Sequence, residues 1–421
     1  MKKFAALFLV LTMVLGCSIA SSEGSITINL WHLYVDETNP NRIVIEEQIE
    51  AYMAAHPNVT IEQHFLQDAD YKDKLTVEFS GSASSIDVFT YWGAGRAGDI
   101  VKAGKILQIE DYLNADKVSL IKPGADNNFR YDGKLFGLPT VSWMMVLYCN
   151  TELFEAQGLE LPETYDQWLA ACKTFAEAGI IPVALGGGVN DAWQAAFVYE
   201  ALAVRTVGAE GVMELLNGGG NLADSGYEAA AVKMMELADS GAFGISPLEI
   251  DEVTANVQFL TGAAAMRLTG SWFTNSVYTD VDSAVEGKIK AVPIPVAPDG
   301  NGKPTDYVGG FIDGIFVNAA TENPEVASDF AYELALAMAI SQHEDGDGFS
   351  AFNADIDESG LFPLGVEVAE LANNAVDGVC AWDTLLSQDM ADVHVDACQV
   401  LLRGSDAGLE AFKANQGRLF E

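Results

Sequence analysis

The feature that most constrains the fold of this chain is an unbroken apolar run in its middle. The run from Val141 to Tyr148 reads VSWMMVLY and lacks the alternation that a half-exposed strand would show. A run of this length, followed at once by the helix-start signal Asn150-Thr151-Glu152, predicts a strand buried on both faces. Strands of this kind lie in sheets that are sandwiched between helices, so the sequence favours an α/β fold.

The N-terminal third of the chain supports the same fold class. Three β-rich segments, Ser25–Tyr34, Val59–Leu66 and Ser85–Gly93, alternate with helical patterns. This β-α-β-α-β order predicts a parallel sheet covered on both faces. Ligands of such sheets bind at the carboxyl ends of the strands, and Trp31 and Trp92 lie at or near two of these ends.

Length and charge limit the possible architectures and partners. A chain of 421 residues is too long for one core, so two lobes are expected. The 61 acidic and 22 basic residues give a net charge of −39, which would repel a phosphate backbone and argues against a nucleic-acid partner. The acidity is typical of a solvated surface, and the sharper alternative is a site built for cations.

The N-terminus predicts export. Two lysines precede an apolar run, Phe4–Leu15, that is too short to span a bilayer. We interpret residues 1–16 as a signal peptide. The motif VLGC ending at Cys17 resembles the bacterial lipobox, in which the cysteine is lipidated, and residues 17–24 would then form a lipidated tether. The alternative is ordinary cleavage after Ala20.

No cofactor or metal is predicted. The remaining cysteines contain no CxxC pair and have no histidine cluster nearby, which argues against a zinc site: Cys149, Cys172, Cys380 and Cys398. A bridge between Cys380 and Cys398 and a set of buried free thiols are both compatible with the sequence. The acidic segment 353–359 lacks the glycine and the final glutamate of an EF-hand loop.

Five segments together resemble a known family. They are AYMAAHPNVTIE (51–62), DVFTYWGAGRAGDIVKAGKILQIEDYL (87–113), FGLPTVSWMMVLYCNTELFEAQGLELPETYDQW (136–168), FLTGAAAMRLTGSW (259–272) and VGGFIDGIFVNAATENPEVASDFAYEL (308–334). In this order they resemble the extracellular solute-binding proteins of ABC importers, in the carbohydrate-binding family that includes maltose-binding protein. Cys149, where an aromatic residue is common, and the very acidic HEDGDG segment depart from the family pattern.

The resemblance implies an α/β, two-lobed periplasmic-binding-protein-like fold. Each lobe would be a sheet covered by helices, and a multi-strand hinge would join the lobes. The first lobe would comprise residues 25–139 and 291–340, and the second lobe residues 140–290 and 341–421. The chain would cross between the lobes near Pro139, within KAVPIP (290–295) and around Ile340–His343.

The resemblance also implies a sugar site in the cleft between the lobes. Sugars offer apolar faces to flat rings and hydroxyl edges to charged or amide groups. The ligand-binding residues implied in this way are Trp31, Asp68, Trp92, Arg96, Trp143, Trp193, Trp272, Asp313, Trp382 and Asp383. The alternatives are that each tryptophan belongs to a core, that Asp313 caps a turn, and that Arg96 is a surface charge.

The function implied is that of a lipid-anchored substrate-binding protein of an ABC sugar importer. It would be a monomer at the exported face of the membrane, close on a carbohydrate and deliver it to the permease. The number of aromatic rings favours an oligosaccharide as this carbohydrate. A polyamine or another cation is the alternative ligand. A secreted glycosidase is a further alternative, although GxSxG and HExxH motifs are absent from the sequence.

Overall fold

A computed structural model describes residues 24–81, 85–219 and 224–416 of the chain. The predicted signal peptide and Cys17 lie outside these residues. Two sheets, each with helices packed on it, organise the described part of the chain. Among its helices, not one combines the length and the apolar character that crossing a membrane requires.

The strands of the described residues are numbered in chain order. They are β1 (Ile26–His32), β2 (Val59–Phe65), β3 (Val88–Trp92), β4 (Arg130–Tyr131), β5 (Lys134–Leu135), β6 (Gly137–Pro139), β7 (Val141–Asn150), β8 (Ile181–Ala184), β9 (Ala264–Gly270), β10 (Ile289–Val292), β11 (Asp306–Phe311), β12 (Asp313–Val317), β13 (Phe349–Ser350) and β14 (Asp377–Val379).

The helices are numbered in the same way. They are α1 (Pro40–Ala55), α2 (Asp68–Ser80), α3 (Ala94–Lys102), α4 (Ala115–Ser119), α5 (Thr151–Gln157), α6 (Tyr165–Glu177), α7 (Trp193–Thr206), α8 (Ala209–Leu216), α9 (Ser225–Asp239), α10 (Glu252–Leu260), α11 (Ser276–Thr279), α12 (Pro324–Glu344), α13 (Pro363–Asn374), α14 (Trp382–Leu385), α15 (Gln388–Leu401) and α16 (Leu409–Gln416).

The first lobe is built on a sheet with the strand order β2-β1-β3-β12-β6. Strand β1 pairs in parallel with β2 and β3, as the alternating pattern predicts, whereas β12 runs antiparallel to β3 and β6. Its core is aromatic and aliphatic, with Leu30, Phe89 and Phe316 fully buried. This sheet holds the carboxyl end of β3, where Trp92 lies.

The second lobe is built around β7. The strand order is β14-β11-β7-β9-β8, and β10 and β13 also pair with β7. Every residue of β7 except Ser142 is buried, which confirms the prediction of a strand covered on both faces. The strand ends at Asn150, whose side chain accepts a hydrogen bond from the Leu153 amide and so caps α5.

The sheet pairing moves two of the expected lobe crossings. Strands β10 and β11 both pair with β7, so the chain returns to the first sheet between Phe311 and Asp313 and not within residues 290–295. Helix α12 runs unbroken to Glu344, so the third crossing follows it instead of falling at Ile340–His343. The prolines of KAVPIP end β10 but start a loop within the second lobe.

The described cysteines are all free and buried. Of the two alternatives, the structure therefore shows buried free thiols and no bridge between Cys380 and Cys398. Cys398 packs on the His394 ring at 3.8 Å, whereas Cys380 lies 3.6 Å from the Asn128 amide nitrogen. Burial raises the pKa of the Cys398 thiol above its usual range. A neutral, buried thiol is a packing residue rather than a reactive one.

Candidate ligand-binding cleft

One aromatic cluster lines the second lobe. We use the term aromatic cluster for Trp143, Trp193, Phe197 and Trp272. Trp143 stacks on Phe197 with ring centroids 5.6 Å apart, and Trp272 meets Trp143 edge to face at 5.0 Å. Trp193 contacts Phe197 at 4.8 Å and Trp272 at 6.1 Å. The structure therefore brings together three of the predicted tryptophans, and Trp193 and Trp272 remain partly exposed.

Local sequence explains how these rings are placed. Trp143 lies on β7, and Trp193 and Phe197 lie one helical turn apart on α7. Trp272 follows β9 and folds back over Gly270, where a Cβ atom would lie 1.9 Å from the indole ring. Sequence reasoning missed Phe197, although its spacing of four residues from Trp193 on a helix was a usable signal.

The first lobe contributes Trp92, which lies beside Asp313 at the start of β12, next to the crossing between the lobes. The antiparallel register of β3 and β12 places Trp92 directly opposite Asp313. The Asp313 carboxylate accepts hydrogen bonds from the indole N–H groups of both Trp92 and Trp143. Because Trp92 belongs to the first sheet and Trp143 to the second, Asp313 ties a ring of each lobe at the crossing. A cavity of about 10 Å³ beside it is the size of a single water.

The other two tryptophans of the cleft also donate to carboxylates. The Trp193 indole N–H donates to Asp191 at 3.3 Å, and the Trp272 indole N–H donates to Glu252. The second oxygen of Asp191 accepts from the Glu252 amide at 2.8 Å and so orders the start of α10. Carboxylates therefore fix the planes of these rings.

The tryptophans elsewhere in the described chain behave differently. The buried indole N–H groups of Trp31, Trp168 and Trp382 have no hydrogen-bond partner. An unpaired buried donor is costly, and a core tryptophan tolerates it only in exchange for apolar packing. The carboxylate partner thus separates the cleft tryptophans from the others.

The carboxylates of the cleft hold protons more tightly than ordinary ones. Burial raises the pKa of Asp313 to about 6 against the opposing effect of its two indole donors, and the charge of Asp383 adds to the rise. Burial likewise raises the pKa of Glu252 to about 7, with Arg267 opposing and Asp191 adding. The pKa of Asp191 is also raised, chiefly by burial. Near neutral pH the Glu252 carboxyl is partly protonated and can both donate and accept hydrogen bonds.

A buried arginine supports the cluster from behind. Arg267 lies on β9, fully buried, and donates to the side chains of Asn256 at 3.0 Å and Gln194 at 2.9 Å. Its guanidinium also lies 3.8 Å from the Glu252 carboxylate. Sequence reasoning missed Arg267, although a charged residue inside the apolar strand AAMRLTG is itself a signal of a paired, buried group.

Helix α2 forms the rim of the cleft on the first lobe. Asp68 accepts from Lys72 at 2.7 Å, and the Lys72 ammonium lies 4.7 Å from the centre of the Trp92 ring. Asp68 therefore lies near Trp92 through Lys72, and its carboxylate is paired with this lysine. Its charge also contributes to raising the pKa of Asp191 across the cleft. The two lobes are thus closely apposed in this structure.

Two predicted site tryptophans lie elsewhere. Trp382 is fully buried in the core of the second lobe, where it stacks on His394 at 4.9 Å, so no ring face is left for a ligand. The Trp31 ring stacks on His64 of the neighbouring strand at 4.8 Å and lies beneath the Lys74 ammonium. Its position at a strand end predicted a cleft residue, but the alternation of β1 turns it toward α2.

Arg96 and Asp383, which were expected to bind the ligand, contact each other instead. Their side chains form an ion pair at 3.0 Å, and each residue is at most 6% exposed. A charge that is buried against its counter-ion is not free to contact a sugar edge. As for metals, no group of three or more potential ligand side chains occurs in residues 24–81, 85–219 and 224–416.

Comparison with known families decides the class of protein. Residues 36–337 match the family model described as bacterial extracellular solute-binding protein. The chain belongs to this family. The match includes β7 and the crossings near Pro139 and at Phe311–Asp313, and it ends within α12, before the third crossing.

Sequence relatives of this solute-binding protein are distant. The maltotriose-binding protein of Pyrococcus abyssi is 24% identical over 339 residues, which cover 76% of this chain and 68% of that protein. An uncharacterized ABC transporter extracellular-binding protein of Pyrococcus horikoshii is 23% identical over 266 residues, or 60% of this chain. The matched part spans 59% of the length of the Pyrococcus horikoshii protein.

Solved structures share the fold over nearly the whole chain. One from work on xylan utilization by the thermophilic bacterium Caldanaerobius polysaccharolyticus is 31% identical, with a TM-score of 0.88 over 94% of this chain and 100% of that chain. A chitin oligosaccharide binding protein is 23% identical, with a TM-score of 0.84 over 93% of this chain and 98% of its own. The expected two-lobed α/β fold is confirmed.

Proposed function

We propose that this solute-binding protein is the receptor of an ABC sugar importer and captures a carbohydrate, specifically an oligosaccharide, in the cleft between its lobes. The observation that carries the proposal is the set of four tryptophans, each with its indole N–H donated to a carboxylate. Ring planes held in this way present apolar faces at fixed angles. Such faces suit the C–H faces of successive sugar units.

The protonation of the cleft carboxylates favours a neutral ligand over a polyamine. A cation needs ionised partners, whereas the pKa of Glu252 is about 7 and that of Asp313 about 6. Binding a cation at Glu252 would require this carboxyl to release the proton that it partly holds near neutral pH. Sugar hydroxyls both donate and accept, so they can bond to these groups in either protonation state.

The relatives support the same class of ligand. One relative is named a maltotriose-binding protein, and a structural neighbour is named a chitin oligosaccharide binding protein. The neighbour at 31% identity comes from work on xylan utilization. All three names concern sugars of more than one unit, so oligosaccharides of xylose, glucose and N-acetylglucosamine are the first ligands to test.

We propose the following route from capture to delivery. Cys17 is lipidated and anchors the exported monomer to the membrane, the lobes close on the sugar, and the closed form docks on the permease. Trp92 stacks from the first lobe, and Trp143, Trp193 and Trp272 stack from the second. Asp68 and Asp313 bond to hydroxyls at the ligand edge. Closure sequesters the sugar, and the receptor itself carries out no reaction on it.

Calorimetry on the exported chain tests the proposal. We would titrate xylo-, malto- and chito-oligosaccharides, with spermidine and putrescine as the contrasting ligands, and follow tryptophan fluorescence in parallel. Micromolar or tighter binding of a sugar that is recovered intact would support the proposal. Binding of a polyamine alone would contradict it, and shortened sugar products would instead favour the glycosidase alternative.

A further inference from the structure

The ion pair of Arg96 and Asp383 joins the two lobes. Arg96 lies on α3, which follows β3 of the first sheet, whereas Asp383 lies on α14, which packs in the core of the second lobe. The guanidinium nitrogen Nη2 and the carboxylate oxygen Oδ2 are 3.0 Å apart. A second guanidinium nitrogen, Nη1, donates to the Gln388 side chain at the start of α15.

The backbones of α3 and α14 also lie close together beside this ion pair. A Cβ atom added at Gly95 would lie 2.1 Å from the Leu385 carbonyl oxygen, so α3 and α14 meet at a distance that glycine alone permits. Nearby, the side-chain amide of Asn128 in the first lobe lies 3.6 Å from the thiol of Cys380 in the second. The contact is thus a continuous patch beside the Phe311–Asp313 crossing.

The energetics of this patch depend on whether the lobes are together. In the closed arrangement both charges are out of water, and each is compensated mainly by the other. When the lobes separate, each charge regains solvent and the hydrogen bonds to Gln388 and Asp383 are exchanged for water. Removing one charge therefore penalises only the closed arrangement, because the remaining charge is buried there alone.

We propose that Arg96, Asp383 and Gln388 form an interlobe latch that sets the equilibrium of lobe closure without touching the ligand. This inference rests on the proposed capture of sugar by closure, because the latch then determines how long the sugar is held. The three residues are positioning residues: they act on affinity through the population of the closed form.

Lobe closure can be measured directly with fluorescent labels. The described cysteines are buried, so in a Cys17→Ser background the exposed positions Val77 on the first lobe and Val253 on the second can be changed to cysteine and labelled. Energy transfer between the two labels reports the closed fraction. We would compare Asp383→Asn, Arg96→Gln and the double variant with Arg130→Gln, which breaks the pair with Asp126 inside the first lobe.

We expect each single latch variant to lower the closed fraction of the ligand-free protein and to speed sugar dissociation by about tenfold. The double variant should be no worse than either single variant, because the charges act as one unit. Arg130→Gln should change neither quantity. Gln388→Ala, which keeps both charges, should give a smaller effect of the same sign and serves where a charge variant fails to fold.

Two results would overturn the latch. One is a closed fraction and a dissociation rate that stay at the wild-type values in both Asp383→Asn and Arg96→Gln. The other is a loss of binding in Arg96→Gln alone, which would mean that Arg96 contacts the sugar. If no sugar binds the wild-type chain, the proposed function fails, and the energy transfer of the ligand-free protein still decides whether the latch exists.

Discussion

At the scale of single residues, the partner of the indole N–H distinguishes two kinds of tryptophan. Trp92, Trp143, Trp193 and Trp272 donate to carboxylates, whereas the indole N–H of Trp382 is buried without a partner. Sequence position alone did not make this distinction, because a strand end or a turn is compatible with both a core and a cleft. The carboxylates come from β12, α10 and the turn before α7, which are far apart in the sequence.

The first prediction separates cleft tryptophans from others by affinity. Trp272→Ala should weaken sugar binding by about 2 kcal/mol, or roughly thirtyfold, because the variant lacks the ring that stacks on the sugar. Trp31→Ala is the matched control, because that ring is also partly exposed but packs on His64. Calorimetry of both variants measures the difference. Equal losses in the two variants would show that the aromatic cluster is not the site.

The second prediction concerns Asp313 and pH. Folding raises the pKa of the Asp313 carboxyl to about 6, so this group is harder to ionise in the native state than in the unfolded chain. The free energy of unfolding should therefore fall as the pH rises from about 4 to about 7. Asp313→Asn removes this titration, so the unfolding free energy should depend less on pH over that range, by about 1 to 2 kcal/mol. Denaturant titrations of both proteins at pH 4.5 and 7.5 measure this pH dependence. If the unfolding free energy of Asp313→Asn depends on pH as strongly as that of the wild type, the prediction is contradicted.

At the scale of elements, the fold was largely predictable, whereas two of the three crossings between the lobes were not. The apolar run of β7 and the Thr164–Gln167 capping box of α6 are local signals, and the structure has both. The position of the crossing at Phe311–Asp313 depends on which strands pair with β7. This pairing joins segments that are distant in the sequence, so local patterns do not determine it. The signal closest to it was the pair Gly309-Gly310, whose φ angles of 147° and 144° only glycine adopts readily.

The third prediction tests that element. Gly309→Ala should destabilise the protein by about 3 kcal/mol, because a Cβ atom would lie 2.1 Å from the Trp143 carbonyl oxygen and the positive φ is strained. Gly360→Ala is the control, since nothing lies within 4 Å of its Cβ position. Chemical denaturation compares the two. A similar small loss in both variants would show that β11 does not need this close approach to β7.

At the scale of the whole molecule, the strongly negative net charge of the chain contrasts with the weakly charged cleft. The chain carries a net charge of −39, yet Asp313 and Glu252 have raised pKa values and accept from indole N–H groups. Asp68 and Asp383 instead pair with Lys72 and Arg96. The acidity is therefore directed to the surface, while the space between the lobes approaches neutrality. This distribution suits a protein that stays soluble at high charge and closes on a neutral ligand.

The fourth prediction uses salt to decide what the charge is for. A neutral sugar forms no ion pair, so its affinity should change by less than about twofold between 50 mM and 500 mM salt, even on a chain this acidic. A polyamine would be attracted by the whole field of the protein, and its affinity should fall steeply over the same range. Calorimetry at the two salt concentrations measures both ligands on the same preparation. A sugar affinity that falls as steeply as that of spermidine would mean that ionised carboxylates of the cleft carry the binding, and would contradict the prediction of a neutral site.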